Sequence, residues 1–459
     1  MKKRLSAIIL ACALSVTMVG CADSNVKDQP VTSEQTSVKV DEKKSEESAS
    51  SKDVEKADTS INTISEKAKE KAKSFPAVNG DLPAWKGICV VEKAEFAWPW
   101  ASTETDPEHV KDTSDTVYKE TEVQEISEAG YNFVRVYLDT RYFFTEEKDV
   151  DLKNVGEGFV GNIDIYNKTQ YENLDRLIEW CIMRDIHVCL DVHSTPGGLM
   201  IGGDEEASRE GLFTPGSQDQ KIFVKFWENI AARYADIDVN ALSFNLYNEP
   251  PFFATDHEDE VYTQYTAIGE IPDKFTFYVV DDEKDIYVNL MNETIDAVQK
   301  ATPNRLIFID MLGYSRFGLK NLDQIKANNM AIAFHFYADQ VADDQVPSIN
   351  VPECKKEASI ILKGYNEYAK ENNVRWMLQE YGCVNQIGAG QQNEYVKAVV
   401  DILKEYGVPY SYHSFNGTYF SICDYEKGDG NVFITPGAEY EATSGGHKIN
   451  IALRDITSK

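Results

Sequence analysis

Eight short apolar runs recur along this chain, and helical spacing fills most of the gaps between them. The runs are KGICVV (86–91), NFVRVYL (132–138), HVCLDV (187–192), ALSFNLY (241–247), RLIFID (305–310), AIAFHFY (331–337), RWMLQE (375–380) and PYSYHSF (409–415). Each is too short for a core helix and rich in the residues that suit a strand. Between them lie patterns such as YENLDRLIEWCIMRD (171–185), QKIFVKFWENIAARYA (220–235) and QNEYVKAVVDILKEYG (392–407). In the last, Tyr395, Val399 and Ile402-Leu403 form one apolar stripe. Strands alternating with helices predict a mostly parallel sheet. Eight such units predict an α/β chain folded as a (β/α)8 TIM barrel. The rival, a doubly wound open sheet, lacks its fingerprint, because GICVVEKAEFAWPW holds no G-x-G-x-x-G after the first strand. GGLMIGGD (197–204) has glycines but no Lys-Ser/Thr pair, so it reads as a surface loop.

Ahead of the barrel the composition is different. Residues 22–74 contain no aromatic residue until Phe75 and are dominated by Ser, Thr, Lys, Glu and Asp. Such a segment buries too little apolar surface to offset its ordering entropy, so 21–75 is expected to be a disordered tether, with at most a transient helix over 62–73. Residues 1–20 read as an export signal, with Lys2, Lys3 and Arg4 before an apolar run that ends in Met18-Val19-Gly20-Cys21. This resembles a bacterial lipoprotein signal, in which Cys21 becomes the lipidated first residue. The expectation is an exported protein held at the cell membrane by lipid, its 76–459 domain outside the cytoplasm.

Charge narrows the partners. The formal net charge is −30, which argues against nucleic acid and against polyanionic substrates. A neutral small molecule or polymer fits better, and a monomer is expected. Six cysteines follow Cys21, and Cys89, Cys189 and Cys383 fall in or beside apolar runs where a free buried thiol is the simplest reading. No Cys-x-x-Cys and no His-x-x-x-His occurs, so neither a metal nor a cofactor is expected.

Polar residues stand at the same end of strand after strand: Arg135 in the second, His193 closing the third, Asn248-Glu249 after the fourth. His335 and Tyr337 close the sixth, and Glu380 closes the seventh. Each has a plain structural reading when taken alone. A strand Arg is often an ion-pair partner, a lone His a hydrogen-bonded core residue, and a Glu before Tyr-Gly the start of a solvated loop. Together they ring one barrel mouth, where active sites of this fold are built. Acids on the fourth and seventh strands would face each other there. Paired carboxylates are what glycoside hydrolysis needs, one protonating the leaving oxygen while the other attacks or activates water. Long insertions after strands two, three, four and eight (143–166, 194–216, 251–286, 416–446) also fall at this end.

With FVRVY, LDVHSTPGG, LYNEP, AFHFY and LQEYG in this order, the chain from about Trp85 onward resembles glycoside hydrolase family 5, the retaining cellulase family. The resemblance implies that Glu249 is the acid/base and Glu380 the nucleophile. It implies that Asn248 binds the sugar 2-hydroxyl, that Arg135 and Tyr337 support Glu380, and that His193 and His335 line the subsite. It points to a neutral β-linked glucan or related plant polysaccharide, with β-mannanase or exo-β-glucanase action as variants. One position departs from the family: the eighth strand reads Tyr412-His413-Ser414-Phe415 where a sugar-stacking Trp is usual. Either His413 takes that place, or Phe415 does after a shift of register. Trp98 and Trp100 are further stacking candidates. The competing readings are a surface lipoprotein that captures polysaccharide without cutting it, and a two-lobed solute-binding lipoprotein, which eight uninterrupted units oppose.

Overall fold

The computed structural model describes residues 61–90, 119–145, 160–197, 211–250, 279–280, 285–338, 340–342, 347–416, 419–426 and 432–459. Cys21, Trp98 and Trp100 lie outside the described residues, as do large parts of the four insertions. Eight strands form the barrel: β1 (Lys86–Val90), β2 (Phe133–Asp139), β3 (His187–Ser194), β4 (Leu242–Asn245), β5 (Leu306–Asp310), β6 (Met330–Phe336), β7 (Arg375–Tyr381) and β8 (Tyr410–Tyr412). All eight coincide with the runs expected from the sequence. Every pairing is parallel, and β1 closes the barrel between β8 and β2. A (β/α)8 barrel is the fold.

Among the described residues the helices of seven residues or more are α1 (Glu66–Ala72), α2 (Glu120–Glu128), α3 (Lys168–Met183), α4 (Gln218–Arg233), α5 (Ile286–Ala301), α6 (Val351–Glu371), α7 (Ala389–Tyr406) and α8 (Ile451–Ser458). Their ends follow local chemistry. Asn167, Ser217 and Asn350 each accept a backbone N–H in the first turn of α3, α4 and α6, which satisfies a donor the helix cannot. Gly407 ends α7 at φ 69°, a left-handed cap that suits glycine. Between β5 and β6 the chain makes a tight turn at Leu312–Ser315, a two-residue strand at Gly318–Leu319 that pairs with Val279–Val280, and a 3₁₀ turn at Leu322–Gln324.

Alternation divides each strand between two cores. Val134, Val136, Leu190, Val192, Phe244, Ile307, Ile332, Phe334 and Leu378 point outward to the helices in one large cluster. Phe133, Cys189, Leu306, Phe308, Ala331, Ala333 and Met377 fill the barrel's interior, closed from below by Val78 and Trp85. Above them the inward positions turn polar: Arg135, Asp191, Asn245 and Gln379, all buried. The mouth therefore rests on a packed floor. The six cysteines after Cys21 are free and buried.

The expected tether ends well before Phe75. Ile64, Ala68, Ala72 and Phe75 are buried against the barrel. Asn62 donates to Arg233 O and Asp236 at 2.7 Å, and Thr63 donates from its backbone to Asp175 at 2.7 Å. Lys71 pairs with Asp185 at 2.5 Å. A narrow stripe of small apolar residues carries the docking of α1, and average composition conceals it. Two further strands, β9 (Tyr440–Ala442) and β10 (Lys448–Asn450), form an antiparallel hairpin before α8.

Candidate active site

Glu380 should not face the barrel interior by simple alternation, because Leu378 points outward and Glu380 follows two residues later. The pairing of β6 with β7 corrects this. Phe334 is opposite Leu378, but the next residue, His335, is opposite Glu380. One extra residue in β7 makes a bulge, which re-aims a side chain. Gln379 and Glu380 thus both reach inward.

Arg135 is the hub beneath the mouth. It is fully buried, pairs with Asp191 at 3.0 Å and bonds Glu380 Oε1 through Nη1. Its Nε and Nη2 donate to Asn245 Oδ1 at 3.2 and 2.8 Å, and Nη2 also reaches Asn248 Oδ1 at 2.7 Å. Glu380 collects two further donors: Tyr137 OH to Oε1 at 2.6 Å and Tyr337 OH to Oε2 at 3.0 Å. Burial alone would raise this carboxyl. The positive charges of His335 and Arg135 outweigh it and hold Glu380 well below the usual carboxylate range.

Glu249 reaches the mouth differently. β4 ends at Asn245, and Glu249 stands beyond it at φ 46°, a left-handed conformation uncommon outside glycine. Its backbone N–H donates to Asp310 Oδ2 at 2.9 Å. Its Oε1 lies 2.7 Å from His335 Nδ1. The same Nδ1 is 3.7 Å from Glu380 Oε2, and Nε2 is 3.7 Å from Asp310 Oδ2. Burial would lower His335, but the surrounding carboxylates, Glu380 foremost, raise it above its ordinary value. One oxygen of Glu249, one of Glu380 and a nitrogen of His335 all lie within 4.8 Å of one another. Among the described residues this is the one set whose donor atoms could surround an ion. Arg135 and Tyr137 already hold one oxygen of Glu380, however, and the guanidinium supplies positive charge without a metal.

The other expected residues gather here too. His193 lies 3.2 Å from Asp191 Oδ2 through Nδ1, and its ring stacks on Tyr137 with centroids 3.8 Å apart. Burial pushes it down to about 3, so it is neutral near pH 7. The two readings of strand eight part at β8. His413 lies among the rings of Tyr137, Tyr337 and Phe420, at 6.0, 6.3 and 5.3 Å between centroids. Phe415 packs elsewhere, in the outer core beside His447, with its N–H on Cys89 O. His413 thus holds the site position. At 6% exposure its ring offers little open face for stacking.

Tyr137, Asp191, Asn245 and Asp310 were missed from sequence, although each carried a signal. Tyr137 and Asp191 stand two residues from Arg135 and His193 on the same strand face, and a two-residue period would have placed them inside. Asn245 and Asp310 end the inward rows of β4 and β5.

Known proteins resemble this chain in both sequence and fold. The model of the cellulase family (glycosyl hydrolase family 5) matches residues 91–418. Endoglucanase C of Acetivibrio thermocellus is 28% identical over 228 residues, covering 50% of this chain and 52% of that protein. Cellodextrinase A of Ruminococcus flavefaciens is 25% identical over 142 residues, 31% of this chain and 36% of its own. The chain thus spans about half the length, or less, of the curated relatives it matches. Among solved structures, a glycoside hydrolase aligns with TM-score 0.56 at 22% identity, covering 81% of this chain and 98% of that one. Endoglucanase Cel5A from the hyperthermophilic Thermotoga maritima aligns with TM-score 0.52 at 15% identity, over 85% and 99%. At such identities these structures speak for the fold.

Proposed function

The chain belongs to glycosyl hydrolase family 5, the cellulase family, and from that premise we propose that it cuts a neutral β-linked glucan by double displacement. The observation that carries this reading is the close approach of the two acids, one oxygen of each within 4.8 Å. A separation of roughly 5 to 5.5 Å suits direct attack by one carboxylate, whereas an inverting pair needs about 6.5 to 9.5 Å to admit a water.

Glu380 is the nucleophile in this reading. Its carboxylate is held ionised, and a lone pair of it forms the bond to the anomeric carbon. The glycosidic bond breaks, and Glu249 passes its proton to the leaving oxygen. In the second step Glu249 takes a proton from water, whose oxygen bonds the anomeric carbon as the bond to Glu380 breaks and its electron pair returns to the carboxylate. His335, 2.7 Å from Glu249 and 3.7 Å from Glu380, orients both acids. Asn248 presents a buried Nδ2 with no hydrogen-bond partner among the described residues, a donor suited to a sugar hydroxyl. His193 and Tyr337 line the same subsite.

The test is a sugar-release assay on the variants. Glu380→Ala is expected to be inactive on every substrate. Glu249→Ala should keep its first step on activated aryl glycosides, whose leaving groups need no proton, and yield a β-glycosyl azide with added azide. An α-azide, or identical behaviour of the two variants, would overturn the assignment. The panel includes β-mannan beside β-glucans, since Thermotoga maritima Cel5A is known both with cellobiose and with mannotriose. We also propose that Cys21 carries the lipid that holds the enzyme at the cell surface. Cys21→Ser should then leave the membrane fraction, and an unmodified N-terminus downstream of Cys21 in the mass spectrum would refute it.

A further inference from the structure

The hydroxyl of Tyr137 sits between two partners, Glu380 Oε1 at 2.6 Å and His413 Nδ1 at 3.0 Å. A phenol has one proton to give. An ionised carboxylate can only accept, so that proton points at Glu380. His413 Nδ1 must then carry a proton of its own and donate to the Tyr137 oxygen; otherwise two lone pairs would face each other. The result is a directed chain, from His413 Nδ1–H to Tyr137 O–H to Glu380 Oε1. Burial keeps Tyr137 protonated well above its ordinary range and pushes His413 down to about 4, so neither group reverses the chain near neutrality. The phenol ring itself cannot swing. It is fully buried, packed on Cys89 beneath and stacked on His193 at 3.8 Å.

The two oxygens of Glu380 are therefore unequal. Oε1 accepts from both Arg135 and Tyr137, while Oε2 has Tyr337 and faces His335, which also holds Glu249. We propose that Tyr137, aimed by His413, is a positioning residue that ties down Oε1 and leaves Oε2 as the oxygen that attacks the sugar. This rests on the proposed double displacement with Glu380 as nucleophile. When the second step returns an electron pair from the C1–Oε2 bond to the carboxylate, the charge spreads onto Oε1, where Tyr137 and Arg135 stabilise it. Loss of the Tyr137 hydroxyl should thus slow release of the covalent intermediate and raise the Glu380 pKa.

The test compares Tyr137→Phe, His413→Ala and the double variant on aryl β-glycosides across pH. The groups facing Glu380 that also titrate are Asp191 and His193 on β3, Glu249 after β4, and His335 on β6. Cys89 on β1, Tyr337 after β6 and His413 after β8 complete the set. All of these side chains are retained in Tyr137→Phe. That variant should move the acid limb of kcat/KM upward by about one pH unit, as expected for a carboxylate losing one strong donor. On a dinitrophenyl glycoside, where the second step limits, kcat and KM should fall together, by roughly tenfold. The double variant should be no worse than Tyr137→Phe, because His413 acts through the phenol. His413→Gln, which keeps a donor, should recover most of the loss seen in His413→Ala. Should the Phe variant express poorly, the rate at which a 2-fluoro glycosyl-enzyme reactivates, read by mass on the folded fraction, gives the same comparison. An unmoved acid limb, or additive losses in the double variant, would overturn the inference. Activity surviving in Glu380→Ala would instead overturn the nucleophile assignment, and this inference with it.

Discussion

Asp310 Oδ2 accepts the backbone N–H of Glu249 at 2.9 Å and so pins that acid in its left-handed conformation at φ 46°. A non-glycine residue in that region costs about 1–3 kcal/mol, and it persists only where neighbours enforce it. Asp310 is itself fixed, by Asn245 Nδ2 at 2.6 Å and Ser315 Oγ at 2.6 Å. Asn245 accepts in turn from Arg135, the guanidinium that bonds Glu380. One buried chain of hydrogen bonds therefore sets the positions of both acids.

Asp310→Ala removes every acceptor in the link to Glu249, whereas Asp310→Asn keeps one oxygen. The alanine variant should lose about 100-fold in kcat, or about 2.7 kcal/mol, with KM changed by less than about threefold. The asparagine variant should lose less. Kinetics on an activated and an unactivated glycoside check this: the defect should be greater where Glu249 must donate a proton. Equal defects on both substrates would place Asp310 outside the control of Glu249.

Asp175 ties the N-terminal segment to the outside of the barrel. This fully buried carboxylate accepts from Thr63, from Arg233 Nε at 2.8 Å and Nη2 at 2.6 Å, and from Tyr234 OH at 2.9 Å. Removing it leaves the Arg233 guanidinium buried without its counter-charge. Asp175→Ala should therefore cost about 3–5 kcal/mol in urea unfolding. Hydrogen exchange should speed up across 61–75, while kcat of the folded fraction stays as in the parent. Unchanged exchange in that segment would mean that apolar docking of α1 alone holds it.

The barrel was legible because its strands are buried on both faces and therefore read as unbroken apolar runs. The acids and Arg135 were legible because polar residues recur at the same end of strand after strand, where any one of them alone would read as structural. Two kinds of feature escaped. Glu380 reaches the mouth through a bulge, a matter of pairing between strands distant in sequence, which no local pattern states. The docked segment escaped because Ile64, Ala68 and Ala72 form one thin stripe among lysines and glutamates. A composition average over 22–74 weighs the charges and misses the spacing.

Gly382, two residues beyond Glu380, shows why that position has no side chain. A Cβ there would lie 2.6 Å from the carbonyl oxygen of His413 and 3.0 Å from the Phe420 ring. Backbone cannot yield as a flexible side chain does, so Gly382→Ala should push the end of β8 outward at a cost of about 1–3 kcal/mol. His413 Nδ1 would then withdraw from Tyr137. The expected result is a lower melting temperature together with an acid-limb shift like that of His413→Ala. A melting change without the pH shift would separate packing at Gly382 from the positioning of Glu380.

The last prediction concerns pH and the hairpin of β9 and β10. Glu125 on α2 is buried beneath the turn, where His447 Nδ1 lies 2.8 Å from Oε2 and the His447 N–H donates to Oε1 at 3.3 Å. Thr443 adds its hydroxyl to Oε1. Burial by itself would raise this carboxyl, but the bonds from His447 and Thr443 outweigh it and hold Glu125 below its ordinary value. A carboxyl whose folded pKa is depressed contributes stability above its unfolded pKa of about 4.3. That contribution is lost as pH falls through the folded value. Glu125→Gln, which has no proton to take up, should be less stable than the parent at pH 7 by about 1–3 kcal/mol. Glu380 and the other carboxylates destabilise both proteins alike in acid, so the difference between the two reports Glu125 together with its partner His447. Their unfolding free energies should converge as the pH drops below about 4. Urea titrations at pH 7, 5 and 3.5 measure this directly, and curves that stay parallel would show that the hairpin latch does not depend on the charge of Glu125.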